Sequence, residues 1–145
     1  MTASAGAEHE VVWVFDLDGC LIDSLTGSSL RPGARALLSG LRDRGCAVVL
    51  WSAGGADYAR DKATTHGIDR FVAGYHSKAG RDGNGRYSTA GLPAGSGSFR
   101  FIDDRPEDLP AGADVVVVSP YLSPDPHDDG LRRGLERAGH LQVQP

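Results

Sequence analysis

Acidic side chains occur in two short groups, and a serine lies between them in the sequence. The stretch Asp16–Gly19 (DLDG) follows one apolar run, Ser52 follows a second, and Asp103–Asp104 follows a third. If these runs are parallel strands of one sheet, their carboxyl ends meet at the same edge. Carboxylates that converge there repel one another unless a cation joins them, and oxygen ligands of this kind suit Mg²⁺. The sequence therefore predicts a magnesium site formed by Asp16, Asp18, Asp103 and Asp104.

Asp16 beside a bound Mg²⁺ has the chemistry of a nucleophile toward phosphorus. The cation neutralises charge on the phosphoryl oxygens while the site fixes the line of attack. Asp18, two residues further on, can protonate the leaving-group oxygen and later deprotonate the water that hydrolyses the aspartyl phosphate. Gly19 lets the backbone turn away closely. Together these residues predict phosphomonoester hydrolysis through an aspartyl-phosphate intermediate.

The elements that must position these residues alternate between strands and helices. Apolar runs predict strands over Val11–Phe15, Ala47–Trp51, Arg70–Ala73, Phe99–Ile102 and Val115–Val118. Helices are predicted between Pro32 and Gly45, over Ala56–His66 and over Asp129–Ala138. This alternation predicts an α/β fold: a Rossmann-like open parallel sheet with helices on both faces. The Gly-rich stretch 79–98 is irregular, and its DGNG turn at 82–85 predicts a small hairpin.

Length and composition fit one globular domain. The chain has 145 residues, of which 40% are hydrophobic and 23% charged, close to the average for globular proteins. We expect a disordered tail over residues 1–10 and a single domain over residues 11–145. The net charge of −4 provides no broad basic field, so an anionic substrate must be captured locally. No apolar stretch has the length of a membrane span, and we expect a cytoplasmic location.

The three motifs, in this order, resemble those of the haloacid dehalogenase superfamily of hydrolases. DLDG at 16–19, LWS at 50–52 and FIDD at 101–104 correspond to three of its four motifs, and the resemblance spans residues 11 to about 118. It implies that Asp16 is the nucleophile and that Asp18 is the general acid and base, with its main-chain carbonyl also meeting Mg²⁺. It further implies that Ser52 binds phosphate and that Asp103 and Asp104 bind the metal.

The resemblance also implies a basic residue that bridges the nucleophile and the phosphate. Lys78 is the candidate from its place between the second and third motifs. Arg81 and Arg86 are alternatives, because the segment after Lys78 is rich in glycine where relatives often have a helix. Asp108 lies where some relatives place another metal-site acid, but it can equally belong to an acidic turn. It is left out of the predicted core site.

Both intervals between the motifs are too short for the cap domain that many relatives carry. The residues around Trp51–Ala53 and Asp104–Pro106 resemble the capless branch that includes the carboxy-terminal-domain phosphatases and magnesium-dependent phosphatase-1. The resemblance implies an open site in which Asp23–Arg31 forms only a small flap. A phosphorylated small molecule, protein or nucleic-acid end could therefore reach Asp16, and the substrate stays open.

Other interpretations of these residues are less well supported by the sequence. An EF-hand calcium loop requires further oxygen ligands and a closing Glu, whereas apolar residues follow Gly19. His76 and His127 lack a His or Cys partner at metal-binding spacing, so zinc is not indicated. A dehalogenase has no need of an acid at Asp18, which disfavours that activity. Two alternatives stay open: a catalytically silent module that binds a cation or a partner, and a phosphotransferase.

Overall fold

The computed structural model describes residues 11–93 and 98–140. The strands are β1 (Val11–Phe15), β2 (Ala47–Ser52), β3 (Gly74–Ser77), β4 (Ser98–Asp103) and β5 (Asp114–Val117). The α-helices are α1 (Ala34–Asp43), α2 (Ala56–Thr65) and α3 (Gly130–Arg137). All strand pairs are parallel, in the order β3-β2-β1-β4-β5. The predicted α/β open parallel sheet is confirmed, and the predicted tail over 1–10 lies outside the described residues.

The two faces of the sheet are covered in different ways. Trp13 and Phe15 of β1 belong to one buried cluster, whereas Val12 and Val14 face the opposite side and belong to another. All three α-helices pack on the Trp13 side, through Ala34, Leu38, Leu41, Ala59, Ala63, Leu131 and Leu135. The other face is covered by Leu92 and Leu109, each at the end of a short 3-10 turn. Helices were expected on both faces; here 3-10 turns replace α-helices on the second.

The strand predicted over Arg70–Ala73 is wrong in position. Residues 69–71 form a 3-10 turn, and the edge strand β3 begins at Gly74. The turn arises because the end of α2 is closed by the amide of Ile68, which donates to the carbonyl of Ala63. The chain can join the sheet only after this turn, so the strand starts four residues later than its apolar pattern indicated.

The segment between β1 and α1 is a short flap rather than a domain. Its chain is pinned by isolated bridges, Asp18 to Ile22 and Ile22 to Leu30. The buried carboxylate of Asp23 accepts hydrogen bonds from the amides of Thr26 and Ser29. Because these bonds close the loop on itself, the flap is small and ordered. No cap domain occurs in the described part of the chain.

Buried Arg31 fixes the base of the flap. Its guanidinium donates to the carboxylate of Asp128 at 2.7 Å and to the carbonyl of Ser119 at 2.7 Å. A third hydrogen bond reaches the carbonyl of Cys20. A buried arginine is tolerated because its donors are matched in this way. Arg31 thereby ties the flap to the chain that leads into α3. None of the helices in the described ranges is long and apolar enough to cross a membrane.

Candidate active site

Three carboxylates converge where β1 and β4 end. Asp103 is the last residue of β4, Asp104 follows it, and Asp16 follows β1. The parallel register aligns these ends, and the amide of Asp16 donates to the carbonyl of Ile102 at 3.1 Å. One oxygen from each of the three carboxylates lies within 4.8 Å of the other two. Sheet register alone therefore brings together the acids that the sequence placed in separate motifs.

Lys78 lies between two of these acids. Its Nζ is 3.1 Å from Asp16 Oδ1 and 3.8 Å from Asp103 Oδ2, and its side chain is only 7% exposed. The residue follows β3, and its amide donates to the carbonyl of Ser52 at 2.9 Å. That bond holds the backbone of Lys78 at the same edge of the sheet. Lys78 therefore has the position expected for the basic residue that bridges nucleophile and phosphate.

The other basic candidates lie elsewhere. Arg81 is 45% exposed and donates to Asp108 Oδ1 at 3.1 Å. Arg105 also pairs with Asp108, at 2.9 Å, so this acid is occupied by two arginines outside the three-carboxylate cluster. The ion pairs lower the pKa of Asp108, although burial opposes the change. Arg86 donates its amide to Asp82 in the hairpin turn. Lys78 is therefore the candidate for which a contact with Asp16 is seen.

Ser52 lies buried at the end of β2. Its Oγ accepts a hydrogen bond from the amide of Gly54 at 3.0 Å. A hydroxyl that accepts here keeps its own hydrogen for donation, which is what a phosphate ligand requires. The role of Ser52 in binding phosphate stays a prediction.

The Asp18 side chain lies outside the three-carboxylate cluster. Its Oδ1 accepts a hydrogen bond from the hydroxyl of Tyr58 at 2.8 Å. Burial, together with the hydrogen bond to Asp18, raises the pKa of Tyr58 to about 12. Asp18 was predicted to meet the metal through its main-chain carbonyl, and that contact stays a prediction. Its carboxylate is instead oriented by α2.

The carboxylate cluster is electrostatically unfavourable when all three acids are ionised and no cation is bound. Burial, followed by the charge of Asp103, raises the pKa of Asp16 to about 8, although Lys78 opposes this. Burial raises the pKa of Asp103 to about 6, again against Lys78. The pKa of Lys78 itself is raised, because the two carboxylates outweigh the effect of its burial. One ammonium does not balance three carboxylates, so the site favours a further cation.

The donor set fits Mg²⁺. It consists entirely of carboxylate oxygens, which hard divalent cations prefer, and it supplies fewer ligands than an octahedral ion needs. Mg²⁺ commonly keeps several waters and binds through a few carboxylates together with substrate phosphate. Asp16, Asp103 and Asp104 are therefore the side chains that could hold such an ion.

Two tyrosines next to the site were not predicted from the sequence. Tyr58 binds Asp18, and the ring of Tyr87 lies 4.9 Å from Lys78 Nζ. The ring of Trp51, which was predicted to end the second strand, lies 5.2 Å from the same nitrogen. No motif marks these aromatic residues. The available signals were the position of Tyr58 in the first turn of the helix after the second motif, and the turn that folds Tyr87 back toward Lys78.

Fold and site together define an α/β protein with an acidic cluster and a buried lysine at the carboxyl edge of an open parallel sheet. Residues 1–87 match the family described as "Protein of unknown function (DUF705)", and the chain belongs to that family. The match includes Asp16, Ser52 and Lys78 but ends before Asp103. The curated proteins contain no significant match to the chain.

Proposed function

We propose that the protein is a Mg²⁺-dependent phosphomonoester hydrolase of the haloacid dehalogenase type, with Asp16 as its covalent nucleophile. The observation that carries the proposal is the position of Lys78, whose ammonium lies within 4 Å of both Asp16 and Asp103. A lysine in this place neutralises a phosphoryl group beside the nucleophile. The carboxylates of Asp103 and Asp104 lie beside Asp16, each with an oxygen within 4.8 Å of one of its oxygens.

Each side chain then has a defined task. Asp16 attacks phosphorus, and the bond to the leaving-group oxygen breaks, which gives an aspartyl phosphate and an alcohol. Asp18 gives its proton to that oxygen and afterwards takes a proton from the water that attacks the aspartyl phosphate. That attack breaks the bond between phosphorus and the Asp16 oxygen, so inorganic phosphate leaves and the Asp16 carboxylate is restored. Lys78 and the Ser52 hydroxyl hold phosphoryl oxygens. Mg²⁺, when held by Asp16, Asp103 and Asp104, supplies positive charge that offsets the charge on the phosphoryl oxygens.

The open edge of the sheet supports a broad range of phosphorylated substrates. Between the motifs, the described residues form a short flap with bridges at Asp18, Ile22 and Leu30, and a small hairpin closed by the bridge between Arg81 and Tyr87. Neither is large enough to enclose a substrate. A phosphorylated macromolecule therefore has access comparable to that of a small metabolite.

The test is hydrolysis of p-nitrophenyl phosphate by the purified protein, with Mg²⁺ and with EDTA. We expect turnover only with Mg²⁺ and a fall of at least about 10³-fold in Asp16→Asn, since the amide cannot serve as the nucleophile. Asp43→Asn is the matched control, because Asp43 is an exposed acid at the end of α1. This control should keep wild-type activity.

Release of p-nitrophenol and of inorganic phosphate should be measured together. Equal amounts indicate transfer to water, whereas an excess of p-nitrophenol with an added alcohol indicates a phosphotransferase. Mg²⁺ binding without turnover of any phosphomonoester would favour the silent module. Full activity in Asp16→Asn would exclude the covalent mechanism.

A further inference from the structure

One oxygen of the Asp18 carboxylate accepts a hydrogen bond from a residue that belongs to none of the three motifs. Tyr58 donates its hydroxyl proton to Asp18 Oδ1 at 2.8 Å. A phenol is protonated throughout the neutral range, so the tyrosine is the donor and the carboxylate the acceptor. The bond fixes the rotation of the carboxyl group and leaves Oδ2 as the oxygen that faces other partners.

The Tyr58 ring is itself held in place. It packs against the core on the helical face of the sheet, and Lys62 Nζ lies 5.8 Å from its centre. Gly54 lies so close that a Cβ there would be 2.8 Å from Tyr58 Cδ2. The ring therefore has little freedom to swing, and its hydroxyl is presented to Asp18 from a fixed direction.

The helix that carries Tyr58 is also joined to the flap. Tyr58, Lys62 and His66 are four residues apart and share one face at the flap side of α2. The His66 ring nitrogen Nε2 is 3.0 Å from the carbonyl of Gly27, and a Cβ at Gly27 would lie 3.1 Å from Lys62 Nζ. The flap and α2 thus form one support on which Asp18 is oriented.

From these contacts we propose that Tyr58 is a positioning residue that holds Asp18 Oδ1 so that Oδ2 delivers its proton to the leaving-group oxygen. This role rests on the proposed function. It matters most for alkyl phosphates, whose alkoxide leaving group is strongly basic and requires protonation as the bond breaks. It matters little for p-nitrophenyl phosphate, whose phenolate leaves without such help. Alkyl phosphates are accordingly the substrates that gain most from the hydrogen bond between Tyr58 and Asp18.

The test compares two substrates in Tyr58→Phe, which removes the hydroxyl and keeps the ring. The quantity is kcat/KM, which reports the steps up to departure of the leaving group and is independent of later hydrolysis. We expect kcat/KM for O-phosphoserine to fall by about 10–100-fold and that for p-nitrophenyl phosphate by less than about 3-fold. Tyr75→Phe is the matched control, because Tyr75 lies on β3 against Arg60 and should leave both values unchanged.

Each outcome decides between roles. Equal losses of kcat/KM for the two substrates, or no loss for either, would overturn the positioning role of Tyr58. Turnover by the wild type would still support the proposed hydrolase activity. Absence of turnover in the wild type would overturn both. If Tyr58→Phe does not fold, Gly54→Ala replaces it, since the added methyl displaces the ring without removing the hydroxyl. That variant should show the same difference between the two substrates. An effect transmitted through Ser52 would instead reduce kcat/KM equally for both.

Discussion

At the scale of single residues, the environment of Lys78 explains why its ammonium points at Asp16. The nitrogen lies 5.2 Å from the ring of Trp51 and 4.9 Å from the ring of Tyr87. These two rings meet edge to face, with centres 6.0 Å apart. Aromatic faces attract a cation and exclude water from its sides. The carboxylates of Asp16 and Asp103 occupy the remaining direction, so the charge is held where a phosphoryl group would arrive.

Loss of the Tyr87 ring should therefore weaken the site. In Tyr87→Leu we expect kcat/KM for p-nitrophenyl phosphate to fall by about 3–30-fold, which corresponds to a cation–π contribution of about 0.5–2 kcal/mol. Tyr87→Phe keeps the ring but loses the hydroxyl that accepts from Arg81, and it should retain most of the activity. If both variants lose activity equally, the Arg81 hydrogen bond matters rather than the ring.

Residues of the candidate site differ in how readily sequence predicts them. Asp16 and Asp103 were predictable because each directly follows an apolar run, and the ends of parallel strands must converge. Tyr58 was not, because its hydroxyl reaches Asp18 only after α2 has packed on the sheet. Tyr87 depends likewise on a hairpin within a Gly-rich stretch. Contacts that arise only from tertiary packing produce no recognisable spacing of residues in the sequence.

At the scale of elements, α3 approaches the end of β5 closely. A Cβ at Gly134 would lie 2.7 Å from Val118 Cγ1 and 2.8 Å from the carbonyl of Val117. Gly134 is also buried within the helix. A glycine costs helix stability but permits this approach, in which Leu131 and Leu135 join the core.

Gly134→Ala should accordingly destabilise the protein, although alanine favours helices. We expect the free energy of unfolding to fall by about 1–3 kcal/mol, because the added methyl has no room. Gly40→Ala is the opposite case, since Gly40 lies within α1 and a Cβ there meets nothing within 4 Å. It should gain about 0.5–1 kcal/mol. Urea unfolding followed by circular dichroism measures both; stabilisation by Gly134→Ala would contradict the packing argument.

Elements with strong local patterns were predicted well, and those shaped by their connections were not. The strand Val11–Phe15 was predicted with its observed bounds, because five apolar residues end at an acidic turn. β3 was misplaced, because its sequence GYHS is weakly apolar and it forms only by pairing with β2. On the second face, the Gly-rich crossover cannot sustain an α-helix, and 3-10 turns cover the sheet instead.

At the scale of the whole molecule, the buried acids at the carboxyl edge of the sheet make the free energy of unfolding depend on pH. Asp16 and Asp103 have pKa values of about 8 and about 6 in the folded protein, against an ordinary 3.8. Between pH 4 and these values the folded chain binds more protons than the unfolded chain. Stability therefore decreases as pH rises through this window. We expect Mg²⁺ to reverse the trend, because it would bind the deprotonated carboxylates that burial disfavours.

Thermal unfolding in EDTA should therefore show a lower Tm at pH 8 than at pH 5. We expect a loss of up to about 5 kcal/mol, equivalent to roughly 15 °C. Saturating Mg²⁺ should raise Tm at pH 8 and have little effect at pH 5, where protons compete for the carboxylates.

Asp16→Asn removes the most strongly shifted carboxyl, so its Tm should depend less on pH and on Mg²⁺. Groups such as His140, whose pKa is lowered by burial, titrate in both proteins, and comparing the two cancels their contribution. An equal pH dependence in the two proteins would mean that Asp16 is ionised in the folded state without a cation, with Lys78 alone sufficient to balance it.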